Sequence, residues 1–386
     1  MKTIYFDHAA TTPLAPEVLE AMLPYLKSEF GNASSPHNIG HRANVALEDA
    51  REQAADLLNA EPSEIIFTSG GTESDNAAIK GVFECSGNRK RIITSPLEHH
   101  AVLHSAESAK RHGGQPVYLT PGPDGKITPD QVESAIDSQT ALVSLMHVNN
   151  EIGTVNPIRE IAAVCRHNSV PLHTDAVQSV GKIDVDVKEL DIDLLSLSGH
   201  KLYGPKGVGI LYVRNGTPWI PWMQGGSQER NRRGGTSNIP GIVGLVKALD
   251  LAISERERFY NHASELRKQL LDLLEKQFRE RVQINGPADS GVPHILNIGL
   301  IPPGGKRLDG EMLLLNLDIE GVCVSNGSAC TSGAVEPSHV LTGVGIDDAV
   351  AESSLRISFG RKNSLEEVGI FVEKLTLILN RMTAAA

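Results

Sequence analysis

Short apolar runs rich in Ile, Leu and Val recur through the first two-thirds of the chain, each followed by a longer stretch with helical patterning. They are Ile65-Ile66-Phe67-Thr68, Arg91-Ile92-Ile93-Thr94, Ala141-Leu142-Val143-Ser144-Leu145, Leu172-His173-Thr174 and Leu194-Leu195-Ser196-Leu197, with Gly207-Val208-Gly209-Ile210-Leu211-Tyr212-Val213 as one further strand. A strand apolar on both faces needs cover on both, and alternating strands with crossover helices supplies it. This dictates an α/β fold around a mainly parallel sheet.

The pattern then changes. Between about residues 240 and 282 it is helical, with Leu266, Leu270, Leu273, Leu274 and Phe278 on one face, and reads as a long connector. Beyond it, Ile295-Leu296-Asn297-Ile298, Gly321-Val322-Cys323-Val324 and Leu355-Arg356-Ile357-Ser358-Phe359 read as strands, with helices near 309–319 and 364–382. A chain of 386 residues exceeds what one core usually organises. The expected division is a large domain over 15–255 and a smaller α+β domain built from 1–14 and 256–386.

The formal net charge of −11 argues against an electrostatic nucleic-acid or anionic-membrane footprint, and Arg230, Arg232 and Arg233 form the only dense basic cluster. Cys85, Cys165, Cys323 and Cys330 contain no CxxC pair and are too few for a disulfide framework, so a reducing cytoplasm is expected. The first apolar run, Ile4-Tyr5-Phe6, stops after three residues, and no run approaches the ~18 residues of a membrane span. Neither a signal peptide nor a membrane segment is expected.

Several strand ends carry chemistry. Leu194-Leu195-Ser196-Leu197-Ser198-Gly199-His200-Lys201 delivers an amine into a glycine-edged turn, where partial desolvation lowers a lysine pKa and favours Schiff-base formation. Asp175, in Asp175-Ala176-Val177-Gln178, stands at the ligand edge of an open α/β sheet and suits a protonated ring nitrogen, with Gln178 near an adjacent ring oxygen; a helix N-cap explains the segment equally well. Thr68-Ser69-Gly70-Gly71-Thr72-Glu73-Ser74-Asp75-Asn76 follows a strand and opens a helix, so its amides and hydroxyls can converge on a phosphate. It has neither a Walker lysine nor a GxGxxG, which disfavours nucleotide templates.

His99, in Pro96-Leu97-Glu98-His99-His100-Ala101, lies at a strand-to-helix turn where an imidazole can stack on a ring and shuttle protons, although with fourteen histidines chance placement competes. His99 and His100 are adjacent and the chain has no HExxH, so a metal reading is disfavoured. Asn149-Asn150-Glu151 follows an apolar strand and can bind a polar substrate group, while Arg356 can fork onto a carboxylate or form a structural ion pair. Cys330 lies in Gly327-Ser328-Ala329-Cys330-Thr331-Ser332-Gly333, which suggests an exposed, mobile and reactive thiol; Cys323, inside an apolar strand pattern, suggests a packed one.

With these pieces in order, the chain closely resembles the NifS/IscS-type cysteine desulfurases, pyridoxal-phosphate enzymes of the class V aminotransferase fold. The resemblance runs from Tyr5-Phe6-Asp7-His8-Ala9-Ala10-Thr11-Thr12-Pro13 to the final helix, and Ser198-Gly199-His200-Lys201, Asp175-Ala176-Val177-Gln178, Glu98-His99 and Gly327-Ser328-Ala329-Cys330 are its most specific parts. It implies a fold-type I architecture with a seven-stranded sheet, the smaller domain carrying the cysteine loop. It further implies pyridoxal 5'-phosphate on Lys201, with Asp175 on the pyridine nitrogen, Gln178 on the phenolic oxygen and His99 against the ring. Gly71, Thr72, Ser198 and His200 would hold the phosphate, joined by Thr236 from the partner subunit of a homodimer. Asn150 would lie against the cofactor and, with Arg356, bind the substrate carboxylate.

The implied reaction removes sulfur from L-cysteine, giving L-alanine and a persulfide on Cys330. A sulfur-acceptor protein such as an iron–sulfur scaffold would then receive the sulfur, and Cys330 would be a candidate transient cluster ligand. The chain ends soon after Leu379-Asn380-Arg381-Met382, without the longer extension that housekeeping members use to dock the scaffold, and Asn231-Arg232-Arg233-Gly234-Gly235-Thr236 looks closer to NifS-type members. Whether the pathway is general or dedicated therefore stays open. The competing readings are a selenocysteine lyase and a non-catalytic scaffold of the same fold.

Overall fold

The computed structural model describes residues 3–301, 308–326 and 337–384. In chain order its strands are β1 (Ile4–Tyr5), β2 (Ile65–Thr68), β3 (Arg91–Thr94), β4 (Gln115–Tyr118), β5 (Thr140–Ser144), β6 (Leu172–Asp175), β7 (Leu194–Ser198), β8 (Gly209–Val213), β9 (Val282–Asn285), β10 (Ile295–Leu300), β11 (Val322–Cys323) and β12 (Leu355–Ser358). β2 to β8 form one seven-stranded sheet in the order β2-β8-β7-β6-β5-β3-β4. Only β8 runs against its neighbours; the pairings from β7 across to β4 are all parallel.

Every residue of β2, β5, β6, β7 and β8 is buried, as expected of strands covered on both faces. The main core joins Ile65, Phe67, Val143, Leu172, Leu195 and Ile210 to helices on one side, including Ala50, Ala54 and Leu58 of the helix Asn38–Leu58. Ile66, Ile92, Leu142, Leu194 and Leu211 pack against Ala78, Ile79 and Val82 of the helix Gly71–Cys85 on the other. The fold expected from the sequence is the fold observed.

A separate core gathers Ile4 and Phe6 with Leu266, Leu270, Ile298, Leu317, Ile357, Phe371 and Leu375. Around it stand the three-stranded antiparallel sheet β12-β10-β9 and the parallel pair β1-β11. The helical stretch expected over 240–282 is two helices, Ile239–Ser254 and Arg256–Phe278, with Glu255 at φ −99° and ψ 6° between them. β4 and β9 are strands that the hydrophobic pattern does not announce. β4 contains Pro116, tolerated because this strand is at the sheet edge and pairs only with β3. Among the described residues no helix is long and apolar enough to cross a membrane.

Candidate active site

β7 ends at Ser198 and passes directly into the 3₁₀ turn Gly199–Lys201, so a fully buried strand fixes where the lysine emerges. The N-terminal segment closes over that turn. Lys201 Nζ donates to the carbonyls of Ala9 (2.6 Å) and Ala10 (2.7 Å). The Thr12 hydroxyl donates to His200 O (2.8 Å) and accepts from Tyr203 N (2.8 Å). Tyr203 is held at φ +63°, a left-handed conformation costly for an aromatic residue, and it persists because the surrounding bonds determine it.

Asp175 closes β6, beside the lysine-bearing strand, and its Oδ1 accepts from Val177 N (2.9 Å). Burial pushes this carboxyl above its ordinary range, while His99 and Lys201 oppose the shift. His99 caps the helix His100–Ser108: its Nδ1 accepts from Ala101 N (3.1 Å), which leaves Nε2 to carry the ring proton. Burial, and the charge of Lys201, hold its pKa below the ordinary value against the pull of Asp175, so the ring is neutral near neutral pH.

The turn after β2 supplies an anion cradle. Gly70 sits at φ +146°, a conformation that other residues rarely adopt, and lets the helix Gly71–Cys85 start hard against β7. A Cβ at Gly71 would come 2.9 Å from Val177 Cγ2, so the close approach to the Asp175 turn also requires glycine. Gly71, Thr72, Ser198 and His200 all line the same cavity, and His200 Nδ1 lies 3.1 Å from Thr11 Oγ1. Burial and the nearby lysines push His200 down to about 4, so it meets an anion as a neutral ring.

That cavity, about 600 Å³, also takes in His99, Asn150, Asp175, Gln178, Lys201 and Arg356. Arg356 is almost wholly buried; its Nη2 donates to Asp7 Oδ1 (2.9 Å) and its Nη1 to Asn150 O (3.0 Å), while its buried Nε has no partner. The structural ion pair and an unused donor therefore coexist. Thr236 is exposed and does not line the cavity of its own chain. Cys330 lies outside the described residues, and with it the expected reactive loop and the candidate cluster ligand. Among the described residues no group of three or more His, Cys, Asp and Glu could hold a metal ion. Cys323 is half-buried rather than packed away, with Sγ 3.8 Å from Asp318 Oδ1.

Four further ionisable residues stand around the site; Glu98, Asp75 and Glu151 stood out in the sequence only as members of longer segments, and Lys182 not at all. Glu98 is fully buried beside Asp175, its Oε1 accepting from Met146 N (3.0 Å), and burial raises it well above the carboxylate range. Asp75, one turn into the helix Gly71–Cys85, is likewise buried and raised, first by burial and then by Asp175. Glu151 accepts from Ser338 Oγ (2.5 Å), and Lys182 Nζ donates to Gln178 Oε1 (2.8 Å).

The family model for aminotransferase class-V matches residues 4–371. The chain is 45% identical over 382 residues to the protein named cysteine desulfurase IscS of Dictyoglomus turgidum, covering 99% of this chain and 95% of that one. It is 46% identical to the cysteine desulfurase IscS of Methanosarcina thermophila, covering 99% and 93%. Among solved structures, one described as a NifS-like protein superposes with a TM-score of 0.90 at 36% identity, covering 98% of this chain and all of that one. Another, described as SspA in complex with cysteine, gives 0.80 at 40% identity, covering 92% and 99%.

Proposed function

The chain belongs to the aminotransferase class-V family and is a cysteine desulfurase, and from that premise we propose which residues perform the reaction, what they hold and where the sulfur goes. The cofactor of this reading is pyridoxal 5'-phosphate. The fit is chemical: a buried carboxyl lining the cavity suits a protonated ring nitrogen, and a helix N-terminus flanked by Ser198 and His200 suits a phosphate. Lys201 is the covalent anchor, Asp175 faces the ring nitrogen, Gln178 the phenolic oxygen, and His99 and Asn150 lie against the cofactor. Gly71, Thr72, Ser198 and His200 hold the phosphate, with Thr236 supplied by the second subunit of a homodimer. When bound, the cofactor acts as an electron sink that makes the substrate Cα proton acidic.

The chain's own groups do the rest. Arg356 Nε and Asn150 bind the carboxylate of L-cysteine and fix the amino acid in the cavity. Lys201 Nζ, once released from its covalent role, takes the Cα proton. Cys330, as thiolate, attacks the substrate sulfur: an S–S bond forms, the C–S bond breaks, and the carbon product leaves as alanine after protonation. His99 exchanges the thiol proton through Nε2, because Ala101 N–H occupies Nδ1. The persulfide then passes to an acceptor such as an iron–sulfur scaffold protein, in a cytoplasm reducing enough to keep the thiols free.

The two separate cores support a division into a large domain over 15–255 and a small one over 1–14 and 256–386. The observation that carries the functional reading is the convergence of Lys201, Asp175, His99, Gln178 and Arg356 on one cavity in a chain so similar to cysteine desulfurases. Borohydride treatment of the loaded protein should fix the cofactor to Lys201 by mass spectrometry, and Lys201→Ala should abolish the adduct. Recovery of the adduct at another lysine contradicts the assignment.

A further inference from the structure

The chemistry of the proposed Gln178 contact is ambiguous by itself, because a carboxamide can present either an acceptor oxygen or a donor nitrogen. Here both ends are committed. Oε1 accepts from Lys182 Nζ at 2.8 Å, and Nε2 donates to Ala9 O at 2.9 Å. The Ala9 carbonyl only accepts and Lys182 in its ammonium form only donates, so the two together hold the oxygen end toward Lys182 and the amino end toward Ala9 and the cavity. One of the two Nε2 hydrogens reaches Ala9; the other is left for the cavity that Gln178 lines.

Lys182 is itself an unusual residue. It is 8% exposed, and Gln178 Oε1 is its hydrogen-bond acceptor. Burial, and then the charge of Lys201, bring it down to about 7. Lys201, His8, His200 and His294 are close enough for its charge to act on them or theirs on it, and Tyr203 and Arg361 line the same small cavity. A lysine kept in so unfavourable a place, with one well-formed bond to a site residue, calls for a role at that site.

We propose that Lys182 is a positioning residue of the cysteine desulfurase site: it locks the Gln178 carboxamide so that an N–H, not the carbonyl oxygen, faces the phenolic oxygen of the cofactor. This rests on the pyridoxal-phosphate reading above. A donor on that oxygen draws off electron density and weakens the oxygen's hold on the neighbouring proton of the bound cofactor. Loosening the carboxamide reverses the effect, and the pH midpoint of the cofactor's visible absorption change moves upward by about half to one unit.

The test is a spectrophotometric pH titration of the loaded protein in a double-mutant cycle of Lys182→Met and Gln178→Ala. Simple removal of a buried positive charge would also raise the midpoint, and the cycle separates the two causes. If Lys182 acts through Gln178, Lys182→Met shifts the midpoint in the wild-type background and adds nothing to Gln178→Ala. An equal shift in both backgrounds, or none in the first, overturns the proposal. Lys182→Gln run through the same cycle replaces the methionine variant if that variant does not fold. A wild type that takes up no cofactor and shows no visible band overturns the cofactor reading and this one together.

Discussion

Arg356 has already spent two of its arms before any substrate arrives: Asp7 takes Nη2 and the Asn150 carbonyl takes Nη1, leaving the buried Nε unpartnered beside the cavity. The guanidinium is thus immobilised, so its remaining donor can meet a carboxylate without a large ordering cost. Replacing Arg356 by Ala should raise KM for L-cysteine by about 10–100-fold, with a smaller change in kcat, and Lys should not restore it because an ammonium cannot hold Asp7 and the Asn150 carbonyl while presenting a further donor in the same plane. Steady-state alanine release checks this; an unchanged KM removes Arg356 from substrate binding. At this scale the sequence was readable where a residue closes a strand, as Asp175 does, or sits in the turn just after one, as Lys201 does. It was unreadable where burial decides the role: Lys182 and Asp75 look like surface charges until the fold encloses them.

At the scale of elements, β6 shows why a strand that reads as apolar carries the chemistry. Its alternate positions His173 and Asp175 share one face, and His173 is wholly buried between Ser144 Oγ (2.8 Å from Nδ1) and Ser196 Oγ (3.0 Å from Nε2). Burial pushes this imidazole down to about 3, whereas in the unfolded chain it titrates near the ordinary 6.5. Between those values the unfolded chain binds the extra proton, so this contribution to stability is present above about pH 6.5 and is lost as pH falls. At pH 5 the loss is about 2 kcal/mol relative to pH 8. Denaturant titrations should show His173→Gln losing about that much less stability between the two pH values than the wild type does. Equal losses would mean that the histidine is already charged in the fold. The strands of the main sheet were legible from their apolar runs except β4, where Gln115 and Pro116 break the pattern at a solvent-facing edge. The helix break at Glu255 carries neither glycine nor proline, so the helical periodicity reads through it.

For the whole molecule, the N-terminal segment ties the two cores to the site: Ile4 and Phe6 belong to the smaller core, while Ala9, Ala10 and Thr12 hold the Lys201 turn. Few local signals reveal such long-range clamps, which explains why the sequence singled out Lys201 but not what restrains it. Completion of the site by a second subunit has its own signature. Mixing Lys201→Ala with Thr236→Val subunits pairs an intact lysine with an intact threonine in each mixed dimer, so activity should exceed the mean of the separate variants. Activity at that mean would place Thr236 in its own subunit's site or outside any site. The claim that joins all these parts is sulfur transfer through Cys330. Mass spectrometry of the loaded protein after a short exposure to L-cysteine should find one added sulfur atom on Cys330, with Cys330→Ala yielding almost no alanine or sulfide; full turnover by Cys330→Ala, or the added sulfur on Cys85, Cys165 or Cys323 instead, would contradict it.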